Sequence, residues 1–236
     1  TLRGLQRHQF GFSHFLVIDS FLALVLTGMP IKFHDQPWAR VFFDAIGGPS
    51  VASSVHRFGA IITLSYFVIH IASLIHRVRQ RREAYVGQNG KVSLRRFAGF
   101  VFGPDSPMPR LQDAKDLVGH MKWFFGRGPK PKFDRFTYWE KFDYIAVFWG
   151  VTVIGLSGLV LWFPAFFTVV LPGWSINLAH LIHTDEALLA AGFIFVFHFF
   201  NSHFRPDKFP LDPVMFSGRV TEEEMRHKHP AQYERL

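Results

Sequence analysis

The chain has 236 residues, of which 49% are hydrophobic and 17% aromatic, and its formal charge is +8 at pH 7. It contains no cysteine, which excludes disulfides, thiolate-ligated iron-sulfur clusters and covalent c-type haem from this chain. Any redox cofactor of its own must therefore be held by other side chains, chiefly by the 13 histidines.

The positive charges are distributed unevenly along the sequence. Of the 26 Lys and Arg residues, 14 fall between Arg77 and Arg135 and six follow Phe204, whereas the stretch 32–54 holds only two. This asymmetry is typical of the positive-inside rule and predicts that both termini and the long central loop are cytoplasmic. The excess of basic residues thus indicates the orientation of the chain in a membrane, and we expect no nucleic-acid partner.

Four apolar segments, almost free of Lys and Arg, follow one another at 15–31, 58–75, 144–171 and 178–200. Each is close to or above the roughly 20 residues that cross a bilayer. Apolar side chains occupy all faces of these segments, which disfavours a soluble helical protein. We predict an all-α, integral membrane four-helix bundle in one domain over 1–236, with transmembrane helices at about 13–33, 54–77, 142–171 and 177–203.

The remaining parts of the chain are expected to lie in the cytoplasm, as a loop at 78–141 and a tail at 204–236. The stretch "LQDAKDLVGHMKWFFG" within the loop predicts an amphipathic helix. It could lie on the membrane surface or pack beneath the bundle, and the sequence favours neither.

Histidines recur at matching positions of three segments. His14 begins the first segment, His56 begins the second with His70 after it, and His183 and His198 lie near the two ends of the fourth. Spacings of 14 and 15 residues correspond to about 21 to 23 Å along a helix and to net rotations of roughly 40 to 60°. Each helix can therefore offer one imidazole near each membrane surface, on broadly the same face.

An ionisable side chain at membrane depth is costly and usually functional. Two stacked cofactors, each held by histidines of facing helices, satisfy the spacing, and haem b fits because it needs axial nitrogen ligands and no thioether bond. Small residues in the segments allow a flat ligand to approach closely, although ordinary helix packing explains each of them equally well. They are Gly28, Gly59, Gly150, Gly155, Gly158 and Gly192.

Two other chemistries compete with haem as explanations of these histidines. A zinc or copper site is disfavoured because the two histidine layers are too far apart to share one ion. A haem-free, histidine-lined proton or ion transporter stays open because histidine titrates near neutral pH. Its other relay members would be Asp19, Asp185 and Glu186.

The stretches "LQRHQFGFSHF", "VHRFGA", "LIHTDEALL" and "FVFHFFNSHFRP" resemble the membrane cytochrome b subunits of formate dehydrogenase, nickel-iron hydrogenase and thiosulfate reductase, a four-helix di-haem family. The resemblance covers all four segments but not the long loop. The ending "FHFFNSHFRPDKFPLD" is most similar to bacterial members associated with periplasmic multihaem c-type cytochromes.

The resemblance implies two haem b groups with iron ligands on three helices; a third haem is left open. By position and depth, His56 and His183 would hold the outer haem. His14, followed 14 residues later by Gly28 as in the family pattern, would hold the inner haem together with His198.

His70 departs from this pattern, since it shares the inner layer but is not a family ligand. It could replace His14 at the inner haem, line a quinone pocket or bond a haem propionate. His180 is the alternative to His183, and His76 is expected to be an interfacial polar side chain.

The resemblance further implies a quinone-linked oxidoreductase subunit of a respiratory complex in the bacterial cytoplasmic (inner) membrane, not catalytic alone. Electrons would pass between menaquinone or ubiquinone near the inner haem and an extracytoplasmic multihaem c-type cytochrome or iron-sulfur subunit. The alternative is a haem-bearing anchor without its own quinone site. Quinone-pocket candidates are His70, His120, His203 and Arg205, and propionate candidates are Arg7, Arg57 and Arg205.

Overall fold

The structure, a computed structural model, describes residues 9–87, 90–206, 209 and 220–236, with side chains from residue 14 onward and without those of 202 and 203. Within these ranges the chain is helical and has no strand, apart from one isolated bridge between Val86 and Val92. The helices in chain order are α1 Gln9–Lys32, α2 Pro37–Ile46, α3 Pro49–Gln80, α4 Leu94–Val101, α5 Leu111–Phe124, α6 Tyr138–Trp162, α7 Pro164–Phe167, α8 Trp174–Phe193, α9 Glu222–Lys228 and α10 Pro230–Tyr233.

Four of the helices are long and apolar enough to cross a membrane. The candidate spans are His14–Lys32 in α1, Pro49–Gln80 in α3, Tyr138–Trp162 in α6, and Trp174–His198 in α8 with the π-helical turn that continues it. The predicted all-α class with four apolar membrane-length helices is thereby confirmed.

The third long helix ends earlier than the predicted 171, because of a proline. Phe163 leaves the helical region, with φ −122° and ψ 55°, directly before Pro164. A proline lacks the N–H that would continue the helix, and its ring disfavours helical backbone at the preceding residue. α6 therefore stops at Trp162, and the short α7 and a turn lead into α8.

The same helix begins before the predicted 142, at a capping box. The backbone N–H of Thr137 donates to Glu140 Oε2 at 2.8 Å, and the N–H of Glu140 donates to Thr137 Oγ1 at 3.4 Å. Such reciprocal bonds satisfy amide groups that the first turn leaves without partners. α6 thus starts at Tyr138.

The contacts divide the chain into two compact units. The bundle unit lies within Gln6–Ile71 and Phe148–Ser217, and the loop unit lies within Ala72–Val147 and Gly218–Leu236. Each is treated below by itself.

In the bundle unit, small residues bring α1, α3 and α6 close together. A Cβ on Gly59 of α3 would lie 3.2 Å from Leu24 Cγ of α1, and one on Gly155 of α6 would lie 2.9 Å from Leu64 Cδ2 of α3. Thr63 Oγ1 also donates to Ser20 Oγ across the first of these contacts, at 3.0 Å. Close approach of small residues joined by hydrogen bonds is how helices associate in lipid.

Aromatic contacts complete the bundle unit. Phe67 of α3 packs on Phe148 of α6 with ring centroids 5.1 Å apart, and Phe21 of α1 packs on Phe195, which continues α8, at 5.9 Å. α1 therefore contacts both α3 and the helix that begins as α8, and α3 also contacts α6. This arrangement turns the histidine-bearing faces of α1, α3 and α8 toward one another.

In the loop unit, a buried ion pair connects α5 to the start of α6. Lys141 is 1% exposed, and its Nζ donates to Asp113 Oδ1 at 2.8 Å and Oδ2 at 3.0 Å. Asp113 also accepts the backbone N–H of Arg110 at 2.6 Å and so caps α5. The Asp113 carboxylate thus both caps the start of α5 and binds α5 to the start of α6.

The C-terminal helices dock within the same unit. Asp134 accepts hydrogen bonds from the guanidinium groups of Arg110 and Arg235, and its carbonyl accepts from His229 Nδ1 at 2.7 Å. Lys132 and Glu234 form an exposed ion pair, with Nζ 2.6 Å from Oε1. The segment before α6 is therefore held between α5 and the C-terminal helices.

We expect Lys141→Met to lower the free energy of unfolding by about 3 kcal/mol, because it leaves the Asp113 carboxylate buried without its ammonium partner. Lys132→Met removes an exposed pair and should cost less than about 1 kcal/mol. Unfolding of the detergent-purified protein, followed by tryptophan fluorescence, measures both. Equal stability of the two variants would contradict the assigned role of Lys141.

Candidate functional site

The structure brings His56 of α3 and His183 of α8 together inside the bundle unit. Their ring centroids are 6.2 Å apart, with the rings at 73° to one another. This is the 56/183 pair, which joins the second and fourth membrane-length helices.

The Nδ1 atoms of the 56/183 pair are both engaged by the protein. The hydroxyl of Thr27 donates to the carbonyl of Ala23 at 2.6 Å, so its oxygen is left to accept from His56 Nδ1 at 3.1 Å. His183 Nδ1 donates to the carbonyl of Ile154 at 2.9 Å. This network assigns the proton of each neutral ring to Nδ1 and leaves the lone pair on Nε2, the arrangement of a metal-binding histidine.

Two glycines lie against the imidazole rings of His56 and His183. A Cβ on Gly28 of α1 would lie 3.1 Å from His56 Cε1, and one on Gly158 of α6 would lie 2.9 Å from His183 Cε1. Side chains at these positions would push the rings out of place. Of the other glycines predicted to admit a flat ligand, Gly59 and Gly155 mediate helix contacts, and Gly150 and Gly192 have nothing within 4 Å of an added Cβ.

A second pair, the 14/198 pair, forms between α1 and the continuation of α8. The centroids of His14 and His198 are 6.4 Å apart and the rings are tilted by 42°. His198 ends the π-helical turn Ile194–His198. A π turn holds one residue more than an α-helical turn. The 15 residues from His183 to His198 therefore rotate about the helix axis by about as much as 14 residues of α-helix.

The ring separations of both pairs would suit two imidazoles that hold one metal ion between them. Two imidazoles bound at about 2.0 Å to opposite sides of one metal, with centroids about 1.1 Å behind the nitrogen, would have centroids roughly 6 Å apart. Among the described residues no group of three or more His, Cys, Asp or Glu side chains could hold a metal ion. An iron already held by a porphyrin needs only axial ligands, so the pairs fit haem b better than a bare ion.

The other predicted candidates in the bundle unit have different partners. His70 stacks on Tyr66 of the same helix at 6.3 Å and 24°, and His180 is exposed. The guanidinium of Arg57 lies over the ring of Trp162 at 5.4 Å. Arg205 follows the last π turn in extended backbone conformation. The structure thus brings His183 rather than His180 to His56, and His14 to His198.

Some predicted residues lie elsewhere. Arg7 and the side chain of His203 lie outside the described residues. His76 is exposed, with Nε2 2.9 Å from Gln80 Nε2. Its interfacial role stays a prediction.

His120 of α5, in the loop unit, sits among aromatic rings. Its Nδ1 is 3.1 Å from the hydroxyl of Tyr138. Burial lowers the pKa of His120, and the positive charge of Lys130 lowers it further. The rings in contact with the imidazole are those of Trp123, Phe133, Tyr138 and Trp139.

The sequence did not reveal the groups that orient the 56/183 pair. Thr27 adjoins the family-pattern Gly28, and this adjacency could have drawn attention to it. The carbonyl of Ile154 has no sequence signal, because every residue carries one. Gly158 is distinguished in the sequence only as one of several small residues of the apolar segments.

No protein-family model matches this chain, and no curated protein matches it. The likeness to the di-haem cytochrome b family therefore stays a prediction from the residues.

If each histidine pair holds one haem, we expect Gly158→Ala to lose the haem of the 56/183 pair and to keep that of the 14/198 pair, because the added methyl would lie 2.9 Å from His183 Cε1 and displace the ring. Haem per chain, measured as the pyridine haemochrome, should fall to about half. Gly192→Ala, an exposed position on α8, is the control and should keep the full content. Full haem in Gly158→Ala would show that this close contact is not needed.

We expect acid to destabilise the protein partly through His120. Because its folded-state pKa is lowered, this contribution is intact above the ordinary value near 6.5 and is lost as pH falls below it toward the lowered value. Thermal unfolding midpoints measured from pH 8 to pH 5.5 should therefore fall less steeply in His120→Phe than in the wild type. Identical pH profiles would exclude the effect.

Proposed function

We propose that the chain is a di-haem b subunit of a membrane redox complex and transfers electrons across the membrane. The supporting observation is the two histidine pairs, which share the fourth membrane-length helix and have centroid separations of 6.2 Å and 6.4 Å. They recur about 20 Å apart along the helix axis. Nitrogen donors in a chain without cysteine suit haem b rather than haem c.

In this proposal His56 and His183 hold one haem, and His14 and His198 hold the other. A bound haem supplies one-electron transfer at iron. Thr27 fixes the rotation of the His56 imidazole, and the carbonyl of Ile154 fixes that of His183. Both hydrogen bonds raise the basicity of the Nε2 atom of the ring that they bind. With haem bound, these two hydrogen bonds would favour ferric over ferrous iron and so lower the reduction potential of the haem at the 56/183 pair.

The sidedness comes from the charges. The basic stretch 77–135 and the basic tail support, by the positive-inside rule, the proposal that the long loop and both termini are cytoplasmic in a bacterial cell. The 56/183 pair then lies toward the outer surface, where it would meet a multihaem c-type cytochrome or an iron-sulfur subunit. The 14/198 pair lies toward the inner surface.

Menaquinone or ubiquinone is the proposed reaction partner on the inner side. Quinone chemistry moves protons with electrons, so its pocket needs titratable or hydrogen-bonding side chains. His70 and Arg205 of the bundle unit and His120 of the loop unit are the described candidates, and His203 is a further one. Arg57 and Arg205 remain the described candidates for the haem propionates.

The haem count per chain tests the ligand assignment. We expect two haems in the wild type, one in His14→Ala and two in His70→Ala, because His14 rather than His70 faces His198. The pyridine haemochrome of the purified variants measures this. Haem loss in His70→Ala, with none in His14→Ala, would overturn the assignment of the 14/198 pair.

Two other functions give different results in the same preparation. A haem-free transporter would show no haem in the wild type. A haem-bearing anchor would bind haem, but its dithionite-reduced form would not be reoxidised by a quinone analogue.

A further inference from the structure

The solvent-facing side of α5, in the loop unit, is apolar rather than polar. At about 100° per residue, six apolar residues of this helix fall within an arc of about 140°. These six form the α5 apolar face: Leu111, Ala114, Leu117, Val118, Met121 and Phe124. All of them are exposed, and the five larger side chains are between 45% and 86% exposed. A helix on the surface of a soluble domain has the opposite pattern, with its apolar side buried.

The packing contacts of α5 lie outside the α5 apolar face and join the helix to α6. Asp113 Oδ1 accepts from Lys141 Nζ at 2.8 Å, and His120 Nδ1 is 3.1 Å from the hydroxyl of Tyr138. Both partners belong to the first turn of α6, and Tyr138 is the first residue of the candidate span Tyr138–Trp162. α5 is therefore bound at the point where the chain enters this span.

This position favours lipid as the partner of the α5 apolar face. Large exposed apolar patches mark surfaces that contact protein or membrane. Because α5 is bound to the start of a membrane-length helix, a lipid surface lies beside it whenever that helix is inserted. A protein partner would have to be supplied by a further chain.

The charges next to the α5 apolar face also match a lipid surface. Lys115 and Lys122 are exposed and lie at one edge of the face, within about 40° of Leu111. Residues 72–147 contain 15 Lys and Arg and seven Asp and Glu, a formal excess of eight positive charges. Basic residues beside an apolar helix face are typical of helices that lie in the interface of membranes with anionic lipids.

We infer that α5 lies on the membrane surface and binds anionic lipid. The α5 apolar face enters the boundary between headgroups and acyl chains, about 5–10 Å deep, and Lys115 and Lys122 contact lipid phosphates. The inference requires that α6 is inserted in a membrane, but it does not depend on haem binding.

Spin labels on single cysteines test the depth of the helix, since the chain has no cysteine of its own. Val118→Cys lies in the α5 apolar face. Gln112→Cys, also at an exposed position of α5, lies roughly 170° from the centre of the face and is the matched control. The full-length proteins are placed in vesicles of phosphatidylcholine and phosphatidylglycerol. The label at 118 should be accessible to oxygen dissolved in lipid and shielded from a water-soluble nickel chelate, and the label at 112 should show the reverse.

The lysines are tested by adding Lys115→Gln and Lys122→Gln to Val118→Cys. Each basic residue near an anionic surface strengthens binding about fivefold. In vesicles with phosphatidylglycerol, the double substitution should therefore raise the chelate accessibility of the label at 118 toward that at 112, by up to roughly 30-fold. In phosphatidylcholine alone it should have little effect. An equal effect in both lipids would exclude anionic lipid as the ligand.

Three further results would overturn the inference. A label at 118 that is as accessible to the chelate as the label at 112 would place the α5 apolar face in water. A label at 118 that is shielded from both oxygen and chelate would show that protein covers the face. A photoreactive side chain at 118 that cross-links to a different chain in native membranes would assign the face to a protein partner.

Discussion

An imidazole inside a hydrocarbon layer needs a partner for each ring nitrogen, and this requirement organises the bundle unit. At the 56/183 pair, Nδ1 of each ring is satisfied by the protein, through Thr27 on α1 and the carbonyl of Ile154 on α6. Each Nε2 would thereby be available to a haem held between the rings, as proposed. All four membrane-length helices contribute to this arrangement, since α3 and α8 carry the histidines and α1 and α6 supply their partners.

The imidazoles of His56 and His183 can reach their partners only if α1 and α6 pack closely against them. Gly28 and Gly158 let α1 and α6 approach the backs of the imidazoles, where any side chain would collide with a ring. The π turn that ends at His198 absorbs one residue, so that α8 serves both histidine pairs despite a spacing of 15 rather than 14 residues. Lys32 and Asp185 form an ion pair between α1 and α8, in which the Asp185 side chain is exposed.

The length of the apolar segments was sufficient to predict the four long helices, because it depends on composition over many residues. The end of α6 required attention to Pro164 alone, and the apolar run through 171 obscured it. The proximity of His56 to His183 and of His14 to His198 was expected from family resemblance and is observed, whereas their ligation of haem stays a prediction. The carbonyl of Ile154 and the pairing of Lys141 with Asp113 depend on which chain segments meet, and residue type does not encode that.

The most direct test of the central claim, that each histidine pair ligates one haem, is low-temperature electron paramagnetic resonance of the oxidised, purified protein. Two low-spin ferric signals typical of bis-imidazole ligation are expected. One should disappear in His56→Ala and the other in His14→Ala. The absence of low-spin ferric haem, or a signal that survives both substitutions unchanged, would contradict the account.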